Sequence, residues 1–205
     1  YMINENNRFV LEETGFNRSR RLLANALPTK VAVVDSGVYF HKDIQRNLFD
    51  SSDFTTNREI GYSDNLGHVT NVCGIYSYTD ILKIVPLKIT ASRQINVTNI
   101  VRAIEYCNEN SIHVINLGYS LPISNENLLN AIKNYDGILV CPAGNEGLNL
   151  DEIRRFPSCY ELPNVISVAS LKINGALSDF SNYGVNTVDI ATYGEQIKLP
   201  NSLYN

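Results

Sequence analysis

Residues 30–37, Lys-Val-Ala-Val-Val-Asp-Ser-Gly, are the first of five apolar segments that together decide the fold. The other four segments, which are also rich in valine and isoleucine, lie at 81–89, 112–118, 137–145 and 164–170. Their apolar residues are nearly continuous, which is typical of strands buried on both faces of a parallel sheet. Helical spacing of apolar residues occupies 98–110 and, behind a capping-type Ser124, 124–135. The pattern predicts an α/β fold with a doubly wound, mostly parallel sheet flanked by helices.

Composition and charge exclude several classes of function. The 205 residues are 44% hydrophobic and carry a net charge of −4, so neither nucleic acid nor a membrane is expected as a partner. No apolar run approaches the roughly 20 residues that a membrane span needs. The four cysteines form no Cys-x-x-Cys pair and no glycine-rich phosphate loop is present, so we expect no zinc or nucleotide site.

Polar residues lie where the predicted strands end, which is the edge at which open parallel sheets bind ligands. Asp35 ends the first segment, 116–120 ends the third, and Gly144 and Asn145 end the fourth. His68 follows Gly67 and begins a segment with apolar positions at helical spacing. The arrangement predicts a functional cleft at this edge.

Each candidate residue allows two interpretations. Asp35 is placed to orient a base or to accept a phosphoryl group, but Asp-Ser-Gly is also good turn chemistry. His68 fits a general base at a helix N-terminus or a surface-loop histidine. Asn145 fits a donor to an oxyanion or a turn residue. The residues taken singly leave these alternatives open, whereas the apolar flanks of Cys141 indicate an inert core thiol.

Six segments, in chain order, resemble the motifs of the subtilisin-like serine proteases. The first two are "VAVVDSGVYFHKDI" at 31–44, similar to the aspartate motif, and "GHVTNVCGI" at 67–75, similar to the histidine motif Gly-His-Gly-Thr-His-Val-Ala-Gly. "VINLGYS" at 114–120 resembles the substrate-pairing strand, and "PAGNEG" at 142–147 resembles the oxyanion-hole segment. The last two, at 156–170 and 177–194, resemble the segments that follow, so the likeness covers roughly 30–205.

The resemblance implies a serine endopeptidase with an Asp-His-Ser triad and a peptide or protein substrate. By this resemblance Asp35 would orient His68, which would act as the general base, and Asn145 would stabilise the oxyanion. Substrate-binding roles would fall to five residues that follow the third and fourth strands: Gly118, Tyr119, Ser120, Ala143 and Gly144.

The chain departs from the family pattern in three respects. The nucleophilic serine would follow the final residues, "LPNSLYN", and Ser202 within them is not a credible substitute. Val69 and Asn71 replace a glycine and a histidine of the motif, and we expect the bulkier Val69 to disturb the catalytic geometry. The calcium loop that usually follows the histidine helix is missing, so no metal or other cofactor is implied.

The resemblance also suggests how the chain is organised. Residues 1–29 would be an N-terminal extension packing on the domain, and 30–205 an incomplete catalytic domain. A C-terminal fragment carrying the serine, or an oligomer contact, would then cover an apolar sheet face that is otherwise exposed. Family habit favours secretion from a bacterium, although a cytoplasmic processing protease is also consistent with the sequence.

Two other functions remain as alternatives. A degenerate member of the family would bind peptides or a partner protein without cutting them, as Val69 and the missing serine suggest. A phosphoacceptor protein would use Asp35 and a magnesium ion, and would need further acidic residues at strand ends, where the sequence pattern indicates none.

Overall fold

The computed structural model describes residues 5–23, 25–56, 63–64, 67–92 and 94–197. Five helices and seven strands are assigned within these ranges. In chain order they are α1 (Glu5–Glu13), α2 (Phe16–Leu22), β1 (Thr29–Asp35), β2 (Ser52–Asp53), α3 (His68–Tyr76), β3 (Leu82–Lys88), α4 (Val97–Glu109), β4 (Val114–Leu117), α5 (Glu126–Lys133), β5 (Ile138–Pro142), β6 (Val165–Leu171) and β7 (Ile190–Tyr193).

The described strands form one seven-stranded sheet in the order β2-β3-β1-β4-β5-β6-β7, and every neighbouring pair is parallel. The predicted α/β fold is therefore confirmed, with a sheet that is wholly rather than mostly parallel. All five apolar segments became strands. The outer strands β2 and β7 were not predicted, because β2 has only two residues and β7 is partly or wholly exposed along its length, so neither forms a continuous apolar run.

Both long predicted helices are present, with one difference at a helix start. The α5 cap is Asn125, whose side-chain oxygen accepts from the backbone N–H of Leu128 at 3.1 Å. Ser124, the predicted cap, instead lies 3.4 Å from the hydroxyl of Tyr160. An amide one residue later reaches the orphan N–H of the first turn, so the helix begins there.

Three hydrophobic clusters of described residues form the core, and the two larger ones lie on opposite faces of the sheet. The larger cluster joins α4 and α5 to one sheet face through residues such as Ile104, Ile115 and Leu139. The smaller cluster joins α3 to the other face through Val33, Val69 and Ile84, among others. All four cysteines are free and buried, and burial raises the pKa of Cys141 to about 12, in keeping with an inert core thiol.

On the α3 side of the sheet, the half formed by β4 to β7 is incompletely covered by the described residues. Ile138 of β5 and Ile190 of β7 are 45% and 54% exposed on this side. We call this surface the open face. Strand register places both residues on the same side as Asn116 and Val168, since directly paired residues of parallel strands share a face.

The N-terminal helices contact the domain beside α3 and β7. The Asn7 side chain donates to the Tyr78 hydroxyl at 2.6 Å, and the Phe9 ring lies 5.4 Å from that of Tyr193. The division of the chain at residue 30 stays a prediction. Among the described residues, no helix has the length and apolar character that crossing a membrane requires.

Candidate active site at the carboxyl edge of the sheet

Asp35, the last residue of β1, is held in a fixed orientation. Only 4% of its side chain is exposed. Its Oδ1 atom accepts from the backbone N–H of Ser36 at 2.7 Å, and its Oδ2 atom lies 3.1 Å from Nδ1 of His68. Both carboxylate oxygens therefore have partners, which a buried charge requires.

His68 is the first residue of α3 and presents its ring partly to solvent. The side chain is 59% exposed, and Nδ1 faces Asp35. In the neutral ring an Nδ1–H donor to Asp35 leaves Nε2 as the acceptor, which is the state that a general base needs. The hydrogen bond with Asp35 raises the pKa of His68; burial opposes this, and the charges of Asp35 and Asp64 add to it.

A cavity of about 360 Å³ lies beside His68 at the carboxyl ends of β4, β5 and β6. Asn145 lines it together with His68, and Gly118 and Gly144 contribute backbone. Asn145 is exposed, in the turn after β5. The sheet thus gathers Asp35, His68, Gly118, Gly144 and Asn145 into one region.

The three other candidate residues do not line this cavity. Ala143 is buried in a separate cluster with Leu150 and Ala169. Tyr119 is half-buried, and burial together with the nearby Asp35 carboxylate raises its pKa. The Ser120 hydroxyl oxygen is buried without a hydrogen-bond partner among the described residues.

Gly118 makes room for the aspartate. A Cβ atom at this position would overlap Asp35 Oδ2 and would lie 3.9 Å from Cε1 of His68. The Asp35 carboxylate therefore rests directly on the backbone at the end of β4, and any larger residue would displace it.

Asn182, which the sequence pattern did not single out, holds the turn that carries Asn145. This buried side chain donates to the Ala143 carbonyl at 2.9 Å and to the Glu146 carboxylate at 2.6 Å. Its oxygen accepts from the N–H groups of Glu146 and Leu148 at 3.1 and 2.9 Å. Gly144 has a φ of 114°, and a Cβ there would overlap the Asn182 amide, so glycine is required.

Val69 lies in the core rather than toward the cavity. Its side chain is fully buried in the smaller cluster with Val33, Val38 and Ile84. The Asp35–His68 contact of 3.1 Å is present beside it. The contact is thus formed with Val69 in place, and the expectation that Val69 impairs catalysis stays a prediction. The side-chain oxygen of Asn71 is buried without a hydrogen-bond partner among the described residues.

No serine hydroxyl among the described residues contacts His68. Ser170 and Ser181 line the cavity, but the first hydroxyl pairs with Ser178 at 2.8 Å and the second donates to the Asn182 carbonyl at 3.0 Å. Ser202 lies outside the described residues. The described part of the chain thus presents the Asp35–His68 pair without a serine hydroxyl beside it.

The described residues also offer no metal site. Only residues 77–81 separate α3 from β3, and no group of three His, Cys, Asp or Glu in the described ranges is arranged to hold an ion. Asp53 does end β2, so the expectation of no further acidic residue at a strand end is wrong. Its Oδ1 atom accepts from the backbone and hydroxyl of Thr55, so this carboxylate has local donors.

The profile of the Subtilase family, Peptidase_S8, matches residues 28–205. The chain belongs to the subtilase family. The match includes Asp35, His68 and the cavity between them and Asn145. The family resemblance seen in the sequence motifs is confirmed.

Individual subtilases of known sequence support the same assignment. The chain is 30% identical over 198 residues to the major intracellular serine protease of Bacillus subtilis, covering 85% of this chain and 61% of that protein. It is 27% identical over 205 residues to subtilisin-like protease 2 of Plasmodium falciparum, covering 15% of that protein. The chain thus spans less than two thirds of the length of these relatives.

Solved structures share the fold. The crystal structure of a lanthipeptide protease has a TM-score of 0.75 and 22% identity, over 91% of this chain and 62% of that one. A cold-adapted subtilisin-like serine proteinase has a TM-score of 0.71 and 22% identity, over 84% of this chain and 65% of that one. At these identities the structures show the subtilase fold alone.

Proposed function

We propose that this subtilase domain provides the acid and the base of a serine endopeptidase. The observation that carries the proposal is the 3.1 Å contact between Asp35 Oδ2 and His68 Nδ1 at the mouth of a cavity shared with Asn145. The contact fixes the tautomer in which Nε2 accepts a proton. A serine from polypeptide outside the described residues supplies the nucleophile.

The proposed reaction assigns one proton path to His68. Nε2 takes the proton from the serine hydroxyl as its oxygen attacks the peptide carbonyl carbon, and later returns it to the leaving amine. Asp35 stays ionised and stabilises the imidazolium that forms between these steps. Asn145 donates to the developing oxyanion, a contribution worth about 3–4 kcal/mol where such donors have been removed.

Substrate binding is proposed at the end of β4. The peptide pairs with residues 118–120 as an extra strand of the sheet, and Tyr119 forms one wall of an apolar substrate subsite. Ala143 and Gly144 border the pocket for the side chain before the cleaved bond. Of these two, Gly144 lines the cavity, and the buried Ala143 supports it from the core.

The open face supports a role for further polypeptide. Ile138 and Ile190 leave large apolar side chains half exposed on the sheet face that also carries Asn116 and Val168, and such surfaces are usually covered. We propose that the serine-bearing polypeptide, or an oligomer contact, covers this face in the active form.

A second function is favoured by one observation, the absence of a serine hydroxyl next to His68 among the described residues. Under it the domain binds an extended peptide through 118–120 and does not cut it.

One experiment separates the two functions. The whole preparation is treated with a fluorophosphonate that labels activated serines, and every polypeptide is weighed by intact mass. The peptidase predicts a labelled serine in wild type, lost in His68→Ala and kept in the control His113→Ala. Ser120→Pro, which removes one N–H, should abolish binding of a fluorescent casein peptide, while Ser120→Ala should keep it. Peptide binding without serine labelling supports the binding function. The absence of both peptide binding and labelling refutes both functions.

A further inference from the structure

Asp64 is a second buried carboxylate close to the Asp35–His68 pair, and the proposed function gives it no role. It is 1% exposed and lies in the short described segment 63–64. A carboxylate this buried is costly unless donors surround it. The hydrogen-bond donors around Asp64 therefore indicate its structural role.

The first set of partners lies on both sides of His68. Oδ1 of Asp64 accepts from the backbone N–H of Gly67 at 2.9 Å. Oδ2 accepts from the N–H and the hydroxyl of Thr70 at 3.0 and 2.9 Å. Gly67, the residue at the cap position of α3, has no side chain to satisfy the first turn. Asp64 does so from outside the helix, and its charge suits the positive helix end.

The second partner lies next to Asp35. The Ser36 hydroxyl donates to Oδ1 of Asp64 at 2.8 Å, while the Ser36 backbone N–H donates to Oδ1 of Asp35 at 2.7 Å. Ser36 is fully buried, so neither bond competes with bulk water. One carboxylate thus ties the end of β1 to the start of α3, the two elements that carry the acid and the base.

A buried lysine fixes Asp64 in turn. Lys88 is 3% exposed at the end of β3, and its ammonium donates to the carbonyl and the hydroxyl of Ser63 at 2.9 and 2.7 Å. Ser63 directly precedes Asp64, so Lys88 anchors the segment 63–64 to the end of β3. Register pairs Lys88 with Asp35 on one side and Asp53 on the other, which places one cation among buried carboxylates.

We infer that Asp64 is a positioning residue that keeps the His68 ring against Asp35 by linking Ser36 to the first turn of α3. The inference rests on the proposed function only in treating this pair as the working acid and base. Asp64 itself touches neither the ring nor a substrate.

The test observes the imidazole directly and needs no proteolysis. The Nδ1 proton of His68 and the titration of its ring are followed by NMR in wild type, Asp64→Asn, Ser36→Ala and Asp53→Asn. Asp53 is the matched control, because it is also buried and bound by local donors but lies on β2. His68→Asn assigns the signals among the three histidines.

Positioning by Asp64 predicts a specific pattern. Asp64→Asn should lose the low-field Nδ1 proton and move the ring midpoint down, and the Thr70 amide should exchange about tenfold faster, as expected for one lost hydrogen bond. Ser36→Ala keeps every charge, so weakening of the same proton signal there reports geometry rather than electrostatics. Asp53→Asn should show none of these changes.

Two results would overturn the inference. One is a folded Asp64→Asn variant with the wild-type low-field proton. The other, which decides if that variant does not fold, is an unchanged Nδ1 proton in Ser36→Ala. A failure of serine labelling leaves this outcome untouched, so the two proposals fail separately.

Discussion

Substitution of Val69 tests whether this residue, which replaces a glycine of the subtilase motif, stabilises the core or obstructs the site. The resemblance places a glycine after the histidine, and here a fully buried valine packs with Val33, Val38 and Ile84. Val69→Ala and Val69→Gly remove that packing in two steps. The control is Val185→Ala, because Val185 is 93% exposed.

The size of the effect follows from the atoms removed. Val69→Ala deletes two methyl groups, each worth about 0.8 kcal/mol when buried, and leaves a small cavity, so we expect a loss of about 2 kcal/mol. Glycine adds roughly 1 kcal/mol more because of its poor helix propensity. For a chain of this size, each kcal/mol lowers the melting temperature by about 2–4 °C. The expected drops are therefore about 4–8 °C for alanine and about 6–12 °C for glycine.

Urea unfolding followed by circular dichroism measures these losses, with thermal melts as a second reading. The midpoint should fall in the order wild type, Val69→Ala, Val69→Gly, at an unchanged slope. Val185→Ala should match wild type within about 0.5 kcal/mol. A Val69→Gly variant that equals or exceeds wild type in stability would refute the packing argument and return Val69 to the role of an obstacle beside the ring.

Three other predictions concern the site. The NMR titration midpoint of His68 should lie above the ordinary histidine pKa and should fall in Asp35→Asn. The protonated ring therefore stabilises the fold fully below about pH 6.5, the ordinary histidine pKa. That stabilisation is lost as the pH rises through the higher folded-state pKa. Gly118→Ala should displace Asp35 and abolish the low-field Nδ1 proton in the same spectra, because the new Cβ overlaps the carboxylate. Asn182→Ala should cost about 3 kcal/mol in urea unfolding, since it leaves buried groups unpaired, whereas the exposed Asn186→Ala should cost under about 1 kcal/mol.

The sequence predicted those parts of the site that follow from local pattern. The β-branched segments predicted the five inner strands, and the parallel arrangement then placed Asp35 and Asn145 at one edge. The orientation of Val69 was also present in the pattern, because Val69, Val72 and Cys73 share one face of a helix. The effect of Val69 on catalysis stays a prediction, because burial in the core does not test it.

Other parts of the site could not be predicted because their partners are distant in the chain. Asp64 receives a bond from Ser36, 28 residues away, and Asn182 binds Ala143 and Glu146 from 39 and 36 residues away. Sequence periodicity does not predict such contacts, because they form only in the folded tertiary structure. The two-residue strand β2 was missed for a simpler reason, because its pairing comes from a neighbour rather than from its own residues.

The pairing between β1 and β4 lies at the boundary between the elements that carry Asp35 and His68 and those that carry Asn145. Asp35 and His68 belong to the unit built from β1, α3 and β3, whereas Asn145 follows β5 in the unit built from β4, α5 and β5. Three residue pairs, from Ala32↔Ile115 to Val34↔Leu117, join the two units along the sheet, as many as join β4 to β5. A local opening along this boundary would separate His68 from Asn145 while leaving the Asp35–His68 contact intact.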